Sequence, residues 1–215
     1  IKILKMRLFD YFDKVYCINL DRREDRFENF KKEVEKYNLG EFERFSAYDG
    51  KTLDLSKYNT TLNPGEVGVI LSNLDIIKNA KENKYDKILI VEDDCVFSDN
   101  IKTIDSYFNL LPENWDMLYF GGNHNLHMGI TLPTKINEKV IKLHSTYSAH
   151  FVGLKSNVFE HIEVIIKNFK EPIYVSYTKL QRVFNAYSFY PAMTSQLVNF
   201  SDIQNKIIDY NWLIK

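Results

Sequence analysis

Glycine is scarce in this chain, eight in 215 residues, where average usage of roughly 7% would supply nearly twice as many. With five prolines beside them, collagen-like, linker-rich and low-complexity architectures are excluded. The two cysteines, Cys17 and Cys95, are too few for a disulfide scaffold. Each lies inside an apolar run, so they read as buried thiols of a reducing compartment. Charge of one sign is missing too: 28 Lys and Arg against 29 Asp and Glu leave a net charge of −1. Nothing global therefore favours nucleic acid or an anionic membrane as a partner. No apolar run approaches the ~20 residues of a membrane span. The opening IKILKMRLFDYF scatters Lys and Arg among its apolar residues and has no signal-peptide core. These features predict a cytoplasmic protein. Several catalytic signatures are also absent. No HExxH, Cys/His zinc spacing, GxSxG, P-loop or GxGxxG occurs, so zinc hydrolase, serine hydrolase and the common phosphate-loop readings have no support.

What is present is the composition of a globular chain, 45% hydrophobic and 27% charged. Its length suits a single domain, 1–215. VYCINL (15–20) reads as a buried strand, and Phe27, Phe30, Val34 and Tyr37 then recur at helical spacing. EFERFSA (41–47) alternates like a strand and ends in a turn at Asp49 and Gly50. Pro64 opens a helix whose Val67, Ile70, Leu71, Leu74 and Ile77 fit a 3.6-residue period. KILIV (87–91) is the clearest buried strand. Beyond it the pattern predicts a helix over about 99–111, a strand and glycine turn in WDMLYFGG (115–122), and two strands within 139–155. Helices are expected over 156–169 and about 176–187, before thirty irregular residues. Strands alternating with helices through residue 120 predict a parallel α/β sheet, with a looser mixed extension closing over a site.

Two constellations carry chemistry. Glu92, Asp93 and Asp94 follow the clearest strand, where open α/β sheets place their ligands. Three adjacent carboxylates repel one another and suit a hard cation, Mg2+ or Mn2+, which would in turn hold a diphosphate. The competing reading is a solvated acidic loop capping the next helix. NLDRREDR (19–26) brings Arg22, Arg23 and Arg26, three of only six arginines, to the junction of the first strand and its helix. They suit a nucleotide's phosphates or ribose, or else ion pairs with Asp21, Glu24 and Asp25. His150 lies in the strand-like YSAHFVGL. There it is a third metal ligand beside the carboxylates or a hydrogen-bonded core residue; His144 is the lesser alternative, and His124 and His127 read as loop residues. ILIVEDD also looks like the opening of a receiver domain, but that fold needs a phospho-acceptor Asp at a strand end roughly 45 residues on. The chain reads KINEKVIKLH there, which excludes it.

In order along the chain, VYCINLDRREDR (15–26), FSAYDG (45–50), GEVGVILSNLDII (65–77), ILIVEDD (88–94), WDMLYFGG (115–122), YSAHFVGLKS (147–156) and PAMTSQLVNFSDI (191–203) resemble glycosyltransferase family 25. The resemblance implies a GT-A-like, Rossmann-like α/β fold, a mixed sheet flanked by helices, with a nucleotide-binding half over about 13–122 and an acceptor-side half over about 123–215. It implies a UDP-hexose donor, Mn2+ and transfer of galactose or glucose with inversion to a hydroxyl acceptor, on a glycan or a hydroxylated protein. Residue by residue, Glu92 and Asp94 match the metal-binding acidic motif, with His150 near the metal and Asp93 approaching ribose or sugar. Asn19, Leu20, Arg22 and Arg26 match the nucleotide signature, and Asp49 and Gly50 the next block. Leu118 to Gly122, including Gly121, would line the donor pocket. Gln196, Ser201 and Asp202 match a block expected to border the acceptor.

Three positions depart from the family pattern: Asn73 stands for a His, Val152 for a Tyr after His-Ala, and Tyr174 for the Asp of Pro-x-Asp. Tyr174, with a phenol pKa near 10, does not replace a carboxylate base; Glu171 and Asp202 are the alternatives. A binding module of the same fold that lacks a base is the rival expectation, and a nucleotidyltransferase using the same acidic cluster is a weaker one.

Overall fold

The computed structural model describes residues 6–124, 131–203 and 206–209; the sequence expectation for His127 lies outside them. Twelve strands occur among the described residues: β1 (Lys14–Asn19), β2 (Glu43–Ser46), β3 (Lys87–Glu92), β4 (Cys95–Phe97), β5 (Met117–Tyr119), β6 (Thr134–Lys135), β7 (Val140–Lys142), β8 (Phe151–Lys155), β9 (Ala186–Phe189), β10 (Thr194–Gln196), β11 (Asn199–Ser201) and β12 (Lys206–Ile208). The α-helices are α1 (Glu24–Tyr37), α2 (Pro64–Glu82), α3 (Ile104–Phe108), α4 (Phe159–Ile166) and α5 (Ile173–Leu180). Eight strands form one sheet in the order β2-β1-β3-β8-β5-β9-β7-β6.

Alternation along β1 and β3 divides the core. Val15, Cys17, Leu89 and Val91 face one side with Phe30, Phe120 and Phe151. Tyr16, Ile88 and Ile90 face the other with Ile70, Ile77 and Ile162. α1 therefore covers one face, and α2, α4 and α5 cover the other. A fully buried Ile or Phe contributes about 1.5–3 kcal/mol, so the helical stripes of the sequence are what hold the layers. Asn63 begins α2 with a capping box: its side chain accepts from Glu66 N–H, and the Glu66 carboxylate accepts from Asn63 N–H. Pro64 takes the first turn, where a missing N–H costs nothing.

The sheet is mixed rather than a parallel sheet with an extension. β1 pairs parallel with β2 and β3, but β8 lies antiparallel between β3 and β5. The strand expected in the looser second half is thus central. Two helical expectations change as well. Residues 99–111 form a 3-10 segment, Asp99–Thr103, before the five-residue α3. The helix expected over 176–187 starts earlier, at Ile173 directly after Pro172, which fixes the entering φ. Residues 186–189 are instead strand β9, all four buried. Burial on both faces erased the alternation that marks a half-exposed strand. Among the described residues no helix is long and apolar enough to cross a membrane.

Candidate active site

Strands β1 and β3 run side by side in the same direction, with Ile18 opposite Glu92. Their carboxyl ends bring the 20–23 loop and the acidic turn 93–94 to one sheet edge. β2 adds the 47–50 segment there, its Ser46 opposite Asn19. Because β8 runs the other way, the residue preceding it, His150, reaches the same edge: its carbonyl accepts from Glu92 N–H at 2.8 Å.

The two constellations of the sequence meet here. Arg26 Nη2 donates to Asp94 Oδ2 at 2.6 Å, and Nε stands 3.2 Å from Asp93 Oδ1, off the axis of a hydrogen bond. That Nε is the one buried side-chain polar atom without a hydrogen-bond partner among the described residues. Asn19 Nδ2 donates to Asp93 Oδ2 at 2.6 Å and to Arg23 carbonyl at 2.9 Å. Asn19 Oδ1 accepts from Arg44 Nε at 2.8 Å. Asn19 is thus saturated by protein partners and acts as the hub that fixes Asp93. Arg22 donates to Asp49 at 2.6 Å and to Asp202 at 2.7 Å, while Arg23 donates to Asp202 at 2.5 Å. Leu20 supplies the carbonyl that turns the loop, accepting from Arg23 N–H at 2.8 Å. The other Asp49 oxygen accepts from Lys51 N–H at 3.0 Å, and Gly50 packs so closely on Pro64 that a Cβ would overlap its carbonyl.

Burial dominates the electrostatics. Desolvation, opposed by Arg26 and Asn19, leaves the Asp93 carboxyl pushed up to about 6. Desolvation and then the Asp94 charge push the Glu92 carboxyl well above the usual range. Glu92 and Asp94 converge on one point, the Gln196 amide nitrogen, 3.2 Å from Glu92 Oε2 and 3.3 Å from Asp94 Oδ1. Two carboxylate oxygen donors converging on one point fit a hard divalent cation. Among the described residues no group of three His, Cys, Asp or Glu side chains forms a ready-made ligand set. The protein would supply two carboxylates, and phosphate and water the remainder, as Mg2+ sites commonly arrange.

Other expected residues are placed differently. His150 is buried, its Nδ1 3.0 Å from Ser148 Oγ and its Nε2 3.2 Å from Thr194 Oγ1. Desolvation, only partly countered by Asp94, pulls its pKa down to about 4, so it is a neutral imidazole with both nitrogens engaged. Leu118 and Phe120 are wholly buried in the aromatic core. Gly121 and Gly122 are small because the protein itself approaches: a Cβ on Gly121 would overlap the Thr194 carbonyl, and one on Gly122 would sit 2.8 Å from Thr146 Cγ2. Glu171 stays outside the cluster, accepting from Ser176 at 3.0 Å and Lys179 at 2.5 Å. Tyr174 is 42% exposed, edge-on to Tyr147. Asn73 is used internally, with Nδ2 donating to Val69 carbonyl and Oδ1 accepting from Tyr177 OH at 3.4 Å.

Arg44 and Thr194 join the cluster without having been singled out, Arg23 takes its place in it with the arginine run read from the sequence, and Gln196 reaches the acidic motif. Arg44 and Thr194 enter through strand register, which one sequence does not display.

The fold and this cluster define a GT-A-like mixed α/β domain with carboxylates and arginines gathered at one edge of its sheet. The chain belongs to glycosyltransferase family 25 (LPS biosynthesis protein), whose profile matches residues 12–159. It is 31% identical over 161 residues to the procollagen lysyl hydroxylase and glycosyltransferase of Acanthamoeba polyphaga mimivirus, covering 63% of this chain and 18% of that one. It is 26% identical over 154 residues to procollagen galactosyltransferase 2 of Mus musculus, covering 61% of this chain and 24% of that one. The chain therefore matches a quarter or less of the length of these relatives. Among solved structures it resembles a glycosyltransferase involved in glycosylating the major capsid of PBCV-1, with TM-score 0.53, 12% identity, and coverage of 89% of this chain and 95% of that one. That likeness supports the mixed α/β, GT-A-like fold.

Proposed function

We propose that this domain transfers a hexose, galactose or glucose, from a UDP-sugar to a hydroxyl acceptor with inversion at the anomeric carbon. The observation that carries the reading is the meeting of Glu92 and Asp94 with Arg22, Arg23 and Arg26 at one sheet edge. Carboxylates to hold a cation and guanidiniums to hold phosphate are the two needs of a diphosphate leaving group. A Mn2+ or Mg2+ held by Glu92 and Asp94 would supply charge neutralisation at the departing diphosphate. Arg22 and Arg23 fork toward the phosphates, Arg26 keeps Asp93 and Asp94 in place, and Asn19 orients Asp93. Neutral His150 supports the acidic turn from behind through its carbonyl bond to Glu92. The acceptor would be a glycan or a hydroxylated protein side chain.

The test is UDP release from a panel of UDP-sugars, with Mn2+ and with chelator, on wild type and Asp94→Ala. Mn2+-dependent turnover of one sugar, lost in the variant, is expected. Turnover that is insensitive to both chelator and Asp94→Ala would overturn the acidic-motif assignment.

One observation favours a second reading, a nucleotide-sugar or glycan-binding module. Of the two carboxylates expected as base, Glu171 is tied to Lys179 and Ser176, and Asp202 to two arginines. Burial opposes ionisation of Asp202, but the hydrogen bonds from Arg22 and Arg23 outweigh it and hold its carboxyl below the usual range, a poor proton acceptor. Thermal stabilisation by UDP and Mn2+ without turnover, with acceptors present, would select the binding module.

A further inference from the structure

After β9 the chain returns to the site and stays across it. β10 lies antiparallel on β4, with Gln196 opposite Cys95. Leu197 N–H then donates to the Asp94 carbonyl at 2.9 Å, and the Gln196 amide reaches Glu92 and Asp94. Six residues on, Asp202 bridges Arg22 at 2.7 Å and Arg23 at 2.5 Å, with Arg26 Nη1 3.8 Å away. Its neighbour Ile203 covers the start of α2, where a Cβ on Gly65 would come within 2.9 Å of Ile203 Cα.

The side-chain contacts of Gln196 and Asp202 are to groups that a nucleoside diphosphate and its cation would themselves engage. A carboxylate bridging two guanidiniums presents the charge and fork geometry that phosphate presents. The two ends of the segment are held unequally. Met193 and Thr194 are buried and both donate N–H to the Phe120 carbonyl, at 2.7 and 3.1 Å. Further on, Val198 is 51% exposed and Ile203 37%. Among the described side chains, Val198 and Ile203 add little buried apolar surface, so the ion pairs of Asp202 are the main tie a ligand must replace, and a phosphate on the same guanidiniums offsets their loss.

We propose that Asp202 is an internal stand-in for the donor's diphosphate. Arg22, Arg23 and Arg26 form a pyrophosphate cradle, and residues 197–203 are a latch that releases Asp202 when a nucleoside diphosphate enters. This rests on the reading of the site as a nucleotide-sugar site. One carboxylate leaves and a more highly charged diphosphate replaces it, so the exchange favours the ligand. Arg26 Nη1, 3.8 Å from the Asp202 carboxylate, then faces a phosphate oxygen.

The test is calorimetric titration of inorganic pyrophosphate, and separately of UDP, into wild type, Asp202→Asn and Asp202→Ala. With the internal competitor gone, both variants are expected to bind pyrophosphate about five- to tenfold more tightly, because the competent state is no longer fractionally populated. In wild type, pyrophosphate is expected to raise amide exchange over 198–203. Tighter pyrophosphate binding with no UDP binding to any of the three proteins would keep the latch and overturn the UDP-sugar reading. Equal or weaker pyrophosphate binding in both variants would overturn the latch, as would no pyrophosphate binding to any protein.

Discussion

Asn19 donates its side-chain amide to Asp93 at 2.6 Å, across 74 residues of sequence. The bond ties the end of β1 to the acidic turn after β3, and the same amide also serves Arg23 and Arg44. Two chemically distinct motifs thereby become one site before any ligand arrives. Replacing Asn19 by Ala leaves the Arg44 Nε and an Asp93 oxygen without partners. Asn19→Ala is therefore expected to lose about 1–3 kcal/mol of folding stability, the usual cost of stranding buried polar groups. Urea unfolding measures it, and unchanged stability would mean that Asn19 acts only on the nucleotide.

Arg26 neutralises two buried carboxylates at once. Arg26→Gln is expected to destabilise the fold by about 3–5 kcal/mol, the cost of breaking a buried pair from one side. Millimolar Mn2+ or Mg2+ should recover part of that loss, since the carboxylates left behind are then free to hold a cation. Thermal melts with and without the ion test this; a variant that melts like wild type would show that the buried carboxylates do not depend on Arg26.

His150 gives a pH signature with a definite sign. Burial lowers its folded pKa to about 4 from 6.5, so between those values the unfolded chain binds the proton more readily. Its contribution to stability is complete above about pH 6.5 and is lost as pH falls toward 4. Glu92 and Asp93, whose folded pKa values are raised, act in the opposite direction over the same range. The isolating measurement is the stability gap between wild type and His150→Gln, which should narrow as pH falls from 7 to 5. A gap independent of pH would mean that the folded imidazole takes up its proton as readily as the unfolded one.

Tyr174 occupies the second position of α5, is 42% exposed and contacts Tyr147. Tyr174→Asp puts a carboxylate at a helix N-terminus, which favours it by about 0.3–1 kcal/mol and offsets the lost ring contact. Stability is expected to change by less than about 1 kcal/mol. Under the binding-module reading, the variant should acquire UDP-sugar hydrolysis or transfer that wild type lacks. If wild type turns over and Tyr174→Asp does not exceed it, the base lies elsewhere.

Much of this architecture was legible because its signals are local. KILIV and VYCINL became β3 and β1, and Pro64 with Val67 and Ile70 became α2. The acidic turn and the arginine run were visible as clusters, and parallel strands explain why they meet. Illegible were features set by partners distant in sequence. AYSF shows no alternation because β9 is buried on both sides. The insertion of β8 between β3 and β5 follows from its pairing and from no property of FVGLK alone. Asp202 read as an acceptor-side residue because nothing in SDI announces arginines 179 and 180 positions away.

The position of β9 bears on how this family can be dissected. Residues 12–159 carry the shared sequence pattern, yet β9, from 186–189, pairs with β5 on one side and β7 on the other. A fragment trimmed to the shared pattern would open the edge of β5, whose Met117, Leu118 and Tyr119 are fully buried in the whole chain. Such an apolar edge is a template for intermolecular pairing. The smallest portable unit of this glycosyltransferase domain therefore extends past the region its relatives share, at least through Phe189.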